Sequence, residues 1–405
     1  MIASFKPCRL RGSVDAPPSK SMAHRMLIGA ALAKEPSVLI GIDQSEDVLA
    51  TLHCLRALGA SIDLDGDRVT VDPRGFLKAE HPVLDCRESG STLRFLIPLC
   101  LCLGKEVTLR GSRRLMERPL DVYEALCRDR GFDFSLDSPA GTLTLRGNLS
   151  GGRYLLRGDV SSQFITGLLF ALVYLREEAW IEILPPLESR SYVELTLSAL
   201  RRLGACIDLE NEGLLLHLLP SSLGGYHGRI EGDYSNAAFL DALNLLGSEI
   251  TVGNLRPDSL QGDRVYADCF RRLNEGCPTL DLSDCPDLGP ILFALAALKN
   301  GAVFTGIDRL RLKESDRIAS MSDLLGRLSG DLLVEDNRVT VPKQTLRPSD
   351  APLPGHNDHR IVMAASVILS VIGGSVCGAE AINKSYPGFF RDLLALGAEV
   401  TLYDR

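Results

Sequence analysis

The stretch Leu55-Arg-Ala-Leu-Gly59-Ala-Ser-Ile-Asp-Leu64 returns almost unchanged as Leu200-Arg-Arg-Leu-Gly204-Ala-Cys-Ile-Asp-Leu209 and as Leu393-Leu-Ala-Leu-Gly397-Ala-Glu-Val-Thr-Leu402. Weaker copies run Leu126-Cys-Arg-Asp-Arg-Gly131-Phe-Asp-Phe134, Phe270-Arg-Arg-Leu-Asn-Glu-Gly276-Cys277 and Leu324-Leu-Gly-Arg-Leu-Ser-Gly330-Asp-Leu-Leu-Val334. Each reads as a helix end closed by glycine, then a strand of alternating polarity. Roughly 40 residues before each glycine, a repeat-scale interval, lies a small polar cluster suited to a helix start. These clusters are Ser19-Lys-Ser21, Glu88-Ser-Gly-Ser-Thr92, Asp159-Val-Ser-Ser-Gln163, Asp233-Tyr-Ser-Asn236, Asp284-Cys-Pro-Asp287 and His356-Asn-Asp-His359. Leu-Gly-Ala alone is common punctuation between helix and strand, but it does not explain the constant offset. The pattern predicts an α/β chain of six units, each a strand, a capped helix, a strand, a second helix ending in Leu-Gly-Ala or its like, and a strand.

At 405 residues two domains are expected, and six units divide into three and three. Segments containing Pro or Gly interrupt the pattern at Val14–Pro18 and Gly228–Asp233. The expectation is a continuous domain, residues 15–231, and a discontinuous one, residues 1–14 with 232–405, joined by two crossings that act as a hinge.

The net charge of −8 argues against nucleic-acid or acidic-membrane binding by bulk charge, so local cations must hold any anion. Eleven cysteines, scattered without a Cys-x-x-Cys pair, suit reduced thiols in a cytoplasmic protein. No apolar signal core opens the sequence, and the longest apolar run, Ile361 to Ile372, is too short to span a bilayer.

The cations gather at helix starts. Pro17-Pro18-Ser19-Lys20-Ser21 leads into an apolar run from Met26, placing Lys20 and Arg25 in and beside a first turn, where backbone N–H groups and the helix dipole favour anions. Ser161-Ser162-Gln163 offers hydroxyls and an amide at another start, although such a triplet alone is more often a plain cap. Asp308-Arg-Leu-Arg-Leu-Lys313-Glu314-Ser-Asp-Arg317 alternates leucine with charge, predicting a strand face that carries Arg309, Arg311 and Lys313. His359 and Arg360 open the most apolar helix, and Lys384 lies in a turn. Phosphate-loop, dinucleotide and nucleophile-elbow motifs do not occur. What remains is a pool of Lys and Arg with two isolated acids, Asp287 and Glu314, an inventory for binding phosphorylated acids and moving protons.

Ser19-Lys-Ser-x-x-x-Arg25, Glu117-Arg-Pro, Ser161-Ser-Gln, Lys313-Glu-Ser-Asp-Arg317 and Asn357-Asp-His-Arg360 together resemble the 5-enolpyruvylshikimate-3-phosphate synthases, in that family's order from about residue 12 to 390. The resemblance implies a two-domain inside-out α/β barrel of six βαβαββ repeats, three per domain, with the active site in the cleft between domains. It also implies a carboxyvinyl transfer from phosphoenolpyruvate to shikimate 3-phosphate, in the cytoplasm, by a monomer that uses no metal or cofactor. Carried over by resemblance, Lys20, Ser21, Arg25, Ser161, Ser162, Gln163, Ser189, Tyr192, Asp287 and Lys313 hold shikimate 3-phosphate. Lys20, Gly90, Arg118, Gln163, Arg317, His359, Arg360 and Lys384 hold phosphoenolpyruvate, while Asp287, Glu314, Lys20 and Lys384 are the catalytic set. The chain departs from the family pattern at Glu88, Ser91 and Phe95, where Asn, Thr and Pro are usual, and at Arg309, where an Asn is often found.

Two other readings stay open at this stage. The sister enzyme acting on UDP-N-acetylglucosamine shares the repeats but carries Lys-Asn near its start and a loop cysteine, whereas this chain has Lys20-Ser21 and no cysteine beside Arg118. A non-catalytic anion-binding scaffold predicts loss of Asp287, Glu314 and Lys384, all of which are present.

Overall fold

A computed structural model describes residues 1–404 of the chain. The chain forms two compact units, Pro18–Ile230 and a discontinuous one made of Met1–Pro17 with the chain from Glu231 onward. The strand Arg11–Asp15 straddles the expected 14–15 boundary. It pairs along its whole length with Glu249–Gly253, and the Asp233 N–H donates to the Pro17 carbonyl at 2.8 Å. These bonds carry the chain as far as Pro17 before it crosses.

Three four-stranded sheets of one design make up the continuous unit. Val83–Asp85 pairs parallel with Val107–Arg110, which pairs antiparallel with Thr142–Arg146, and that with Asp133–Asp137. The same parallel, antiparallel, antiparallel order recurs from Gly152–Arg157 through Ala179–Leu184 and Leu215–Leu219 to Cys206–Glu210. It recurs once more in Ser37–Ile40, Arg68–Asp72 and Ser61–Asp65, whose parallel partner His227–Arg229 arrives from far downstream.

The discontinuous unit repeats the design twice. One sheet is Thr279–Asp281, Ala302–Thr305, Arg338–Val341 and Leu333–Glu335. In the other, Ile2–Phe5 lies between Gly374–Cys377 and Val400–Tyr403, with Leu353–Pro354 at the edge. The third copy is abbreviated to the parallel pair Arg11–Asp15 and Glu249–Gly253. The next sheet begins at Thr279, three residues after Gly276, so no chain is left there for two further strands.

Helices fill the interior and sheets form the skin. Lys20–Leu32, Gly90–Leu101 and Ser162–Leu175 are apolar on nearly all sides and almost wholly buried, as only interior helices can be. Tyr234–Leu245, Gly289–Leu298 and His359–Ile372 do the same in the other unit. Gly152–Arg157 alternates buried and exposed residues, as a strand with one wet face must.

Glycines close the helices where the sequence places them at four copies. Gly59, Gly131, Gly204 and Gly397 have φ of +105°, +68°, +102° and +91°, a region that glycine enters without steric cost. The other two copies differ. Ser329 takes the left-handed position (φ +63°) ahead of Gly330, and Gly276 is extended at φ 177°.

Candidate active site

In the continuous unit the helix starts are capped as expected. Ser19 accepts from the Met22 N–H, Ser89 from Thr92 and Ser161 from Gln163, at 3.4, 3.2 and 3.3 Å. Lys20 is the first residue of its helix, and its Nζ sits 2.8 Å from the Asp47 carboxylate. Ser21 gives its carbonyl to Arg25 Nη1 at 2.7 Å. Arg25 is fully inside, with Nε donating to Thr196 Oγ1 at 2.9 Å and Nη2 to the Tyr192 carbonyl at 2.9 Å. The Phe95 and Tyr192 rings lie 5.3 and 5.9 Å from its guanidinium. Burial pulls Arg25 down to about 10, leaving it charged at neutral pH.

Gly90 stands against Arg118, since a Cβ there would come within 2.7 Å of Arg118 Nη1. Arg118 Nε is buried and meets no acceptor among the described residues. Ser162 and Gln163 follow the Ser161 cap, and the Gln163 Nε2 donates to Ser91 Oγ at 3.0 Å. Ser189, left-handed at φ +52° and buried, precedes the helix Arg190–Arg202 that carries Tyr192. These bonds bring the starts of the Lys20 and Arg190 helices together, and likewise those of the Gly90 and Ser162 helices.

In the discontinuous unit, one carboxylate gathers three cations. Asp287 Oδ1 lies 3.2 Å from Lys313 Nζ and 2.8 Å from Arg317 Nη1, and Oδ2 lies 2.9 Å from Arg360 Nη2. Burial opposes the charge on Asp287, but Arg360, Lys313 and Arg317 outweigh it and hold the carboxyl well below its ordinary range. These cations, and not a helix dipole, keep it ionised. Asp287 lies in the short 3₁₀ turn Pro286–Leu288, and the following helix Gly289–Leu298 has no side-chain cap.

Arg317, completely buried, also donates Nη2 to Glu314 at 2.9 Å and Nε to Asp358 at 3.0 Å. Asp358 caps its helix through the Arg360 N–H at 2.9 Å and accepts from Ser315 Oγ at 3.0 Å. Arg360 Nη1 donates to Ser235 Oγ. His359 is buried beside it, Nδ1 lying 3.9 Å from Asp358. Lys384 Nζ donates to the Asn357 carbonyl at 2.6 Å.

The predicted strand over 308–313 is not formed. Asp308–Leu312 is a 3₁₀ helix, with Lys313 at its C-cap. Gly306 turns the chain at φ +64° after Ala302–Thr305, and Leu310 then drops into the space left by the missing Cβ of Gly289, which a Cβ would fill to 2.7 Å. The alternation of leucine and charge over so few residues does not distinguish a strand from a tight helix.

Three supporting residues escaped the sequence reading: Asp47, Asp358 and Arg94. Asp47 looks like an ordinary first-turn acid and Asp358 like an ordinary cap. Arg94 had a visible signal, a lone cation within Leu93-Arg-Phe-Leu-Ile97. All eleven cysteines are free thiols. Among the described residues there is no cluster of three or more His, Cys, Asp or Glu able to hold a metal, and no helix long and apolar enough to cross a membrane.

The family model for EPSP synthase (3-phosphoshikimate 1-carboxyvinyltransferase) matches residues 5–277 and 274–393. The 3-phosphoshikimate 1-carboxyvinyltransferase of Clostridium kluyveri is 37% identical over 417 residues, covering 98% of this chain and 97% of that protein. That of Clostridium perfringens is 36% identical over 414 residues, covering 96% and 97%. Among solved structures, EPSP synthase from Acinetobacter baumannii superposes with a TM-score of 0.77 at 23% identity, covering 99% of this chain and 100% of that one, a likeness of fold. The six-fold repeat, the capped helix starts and this agreement over nearly the whole length have one reading: the chain belongs to the EPSP synthase family, the 3-phosphoshikimate 1-carboxyvinyltransferases.

Proposed function

We propose that the cation-rich helix starts of the two units divide the work of the family's reaction. The enolpyruvyl group of phosphoenolpyruvate moves to the 5-hydroxyl of shikimate 3-phosphate by addition and elimination. The hydroxyl oxygen bonds to the central carbon of phosphoenolpyruvate while the methylene carbon gains a proton. The adduct then loses a proton from that carbon and expels phosphate. In the continuous unit Ser21, Arg25, Ser161, Ser162, Gln163, Ser189 and Tyr192 hold shikimate 3-phosphate, with Asp287 and Lys313 from the other unit. Gly90, Arg118, Arg317, His359, Arg360 and Lys384 hold phosphoenolpyruvate, and Lys20 and Gln163 serve both.

The observation that carries this reading is the grip of Lys313, Arg317 and Arg360 on Asp287. Glu314 and Asp358 bring the acids level with these three largely buried cations, so the cluster is charge-balanced and its cations stand ionised in fixed positions. An anionic substrate meets donors that are already in place. Asp287 accepts the hydroxyl proton. So weak a base takes it only as the oxygen bonds to carbon and its acidity rises, while Glu314, fixed by Arg317, serves the methylene carbon.

The test is phosphate release from phosphoenolpyruvate with shikimate 3-phosphate or UDP-N-acetylglucosamine as acceptor. Turnover is expected with the first alone; turnover with the second alone would sink the reading. Asp287→Asn and Glu314→Gln should each lower kcat by roughly 10²–10⁴-fold, the scale of a general acid or base, with much smaller changes in shikimate 3-phosphate affinity. Near-full turnover in either variant removes that residue from proton transfer. The reading extends to a cytoplasmic monomer. It is supported by eleven unpaired cysteines, which suit a reducing compartment, and sedimentation of the purified protein checks its size.

A further inference from the structure

Arg94 is the one cation inside the helix Gly90–Leu101, and it is only 4% exposed. A buried guanidinium needs partners for its donors, and those met by the two Nη groups fall on the phosphoenolpyruvate side of the proposed site. Nη1 donates to Gln163 Oε1 at 2.7 Å and Nη2 to the Pro119 carbonyl at 3.0 Å, while the Phe164 ring lies 5.3 Å away. The Tyr123 hydroxyl lies 2.9 Å from both the Arg94 and Phe164 carbonyls, tying the two helices at the same level. At the other end of the Gln163 amide, Nε2 donates to Ser91 Oγ at 3.0 Å.

Because a guanidinium only donates, the Gln163 oxygen must face Arg94. The amide nitrogen then points the other way with a second proton to offer. We propose that Arg94 is a positioning residue for phosphoenolpyruvate. By holding the amide oxygen it makes Gln163 present N–H and never C=O to an anion. By holding the Pro119 carbonyl it also fixes the turn that seats Arg118 against Gly90. One buried cation thereby sets two ligand groups, and Ser91 locks the amide from the far side. A flipped amide would place a carbonyl oxygen against the carboxylate or phosphate of phosphoenolpyruvate, whereas a hydroxyl of shikimate 3-phosphate, which donates as well as accepts, can meet either end of the amide; the clamp therefore acts chiefly on phosphoenolpyruvate although Gln163 serves both substrates. The inference rests on the assignment of Gln163 and Arg118 to phosphoenolpyruvate.

The test is steady-state kinetics of Arg94→Lys, Ser91→Ala, Gln163→Ala and the Arg94→Lys/Gln163→Ala pair, alongside the thermal melt of each. Arg94→Lys should raise KM for phosphoenolpyruvate by roughly 10–100-fold, the scale of a mispositioned binding group, with KM for shikimate 3-phosphate within about threefold. Its effect should shrink when Gln163 is already Ala, leaving only the part that runs through the Pro119 carbonyl to Arg118. Ser91→Ala, at a half-exposed position, keeps the question open to measurement if Arg94→Lys does not fold, and should raise the same KM by about 3–10-fold. Equal losses for both substrates, an unchanged KM in folded Arg94→Lys, or an unchanged KM in Ser91→Ala when that is the variant that folds, would overturn the proposal while leaving the parent reaction intact. Failure of the parent protein to release phosphate with shikimate 3-phosphate removes both readings.

Discussion

Lys313 gives the site a pH dependence of definite sign. Burial pulls its ammonium down, Asp287 pulls it back, and Arg309 and Arg317 push it down again, to about 8. A phosphate ligand needs the charged form. KM for shikimate 3-phosphate should therefore be flat below pH 8 and rise above it by about tenfold per pH unit, and Lys313→Arg should abolish that limb; an alkaline limb that survives in Lys313→Arg belongs to another group. His24 supplies a second titration, this one of stability. Burial, then Lys20 and Arg25, holds its imidazole well below the ordinary 6.5. The unfolded chain takes up a proton near pH 6.5 and the folded chain does not, so stability falls as pH drops through 6.5 and below. Denaturant midpoints at pH 7.5 and 5.5 should diverge more for the parent than for His24→Asn. Single residues were legible in the sequence where a motif surrounded them, as with Lys20, Arg317 and Arg360. Arg94 and Asp47 were hidden because their partners, Gln163 and Lys20, are distant in sequence and ordinary in type.

Helices of the continuous unit are tied by side chains as well as by packing. His24 Nδ1 meets Thr51 Oγ1 at 2.7 Å, Thr51 meets Thr92 Oγ1 at 2.7 Å, and Thr92 donates to Ser89 Oγ at 2.7 Å. This buried run joins the helices Lys20–Leu32, Glu46–Ala57 and Gly90–Leu101. Thr51→Val keeps the shape and removes the middle link, leaving two buried groups short of a partner. A loss of about 1–3 kcal/mol is expected, read as a lowered denaturation midpoint; a loss below about 0.5 kcal/mol would mean that the hydroxyl run carries no stability. Elements with local signatures were legible, the capped starts at Ser19, Ser89, Ser161, Asp233 and Asp358 above all. The 3₁₀ turn Asp308–Leu312 was not, because its shape is set by Leu310 reaching Gly289. The strand His227–Arg229 shows no repeat of its own and is defined only by its partner Ser37–Ile40.

The two units differ in how much of the chain each needs. Every residue of the continuous unit's core lies between Met22 and Ile230, so a fragment 18–230 should fold alone and melt cooperatively. A fragment 231–405 lacks Ile2–Phe5, the inner strand of a four-stranded sheet, and Arg11–Asp15, the partner of Glu249–Gly253. It should show weak amide protection that improves on adding a peptide of residues 1–17; full protection without the peptide would contradict the sheet order. The repeat number was readable from sequence because it recurs locally, and so was the joining of the first residues to the far half, whereas which strand of each sheet arrives from a distance was not. That inner strand also fixes a timetable on the ribosome. Ile2–Phe5 is made long before both its neighbours, Gly374–Cys377 and Val400–Tyr403. At about 5–20 residues per second, it waits on the order of 20–70 s with its edges bare, while the 213 residues from Pro18 to Ile230 emerge and fold in the interval. A nascent chain of this protein therefore carries a sticky strand throughout that interval, and its yield in a cell hangs on what shields those few residues meanwhile.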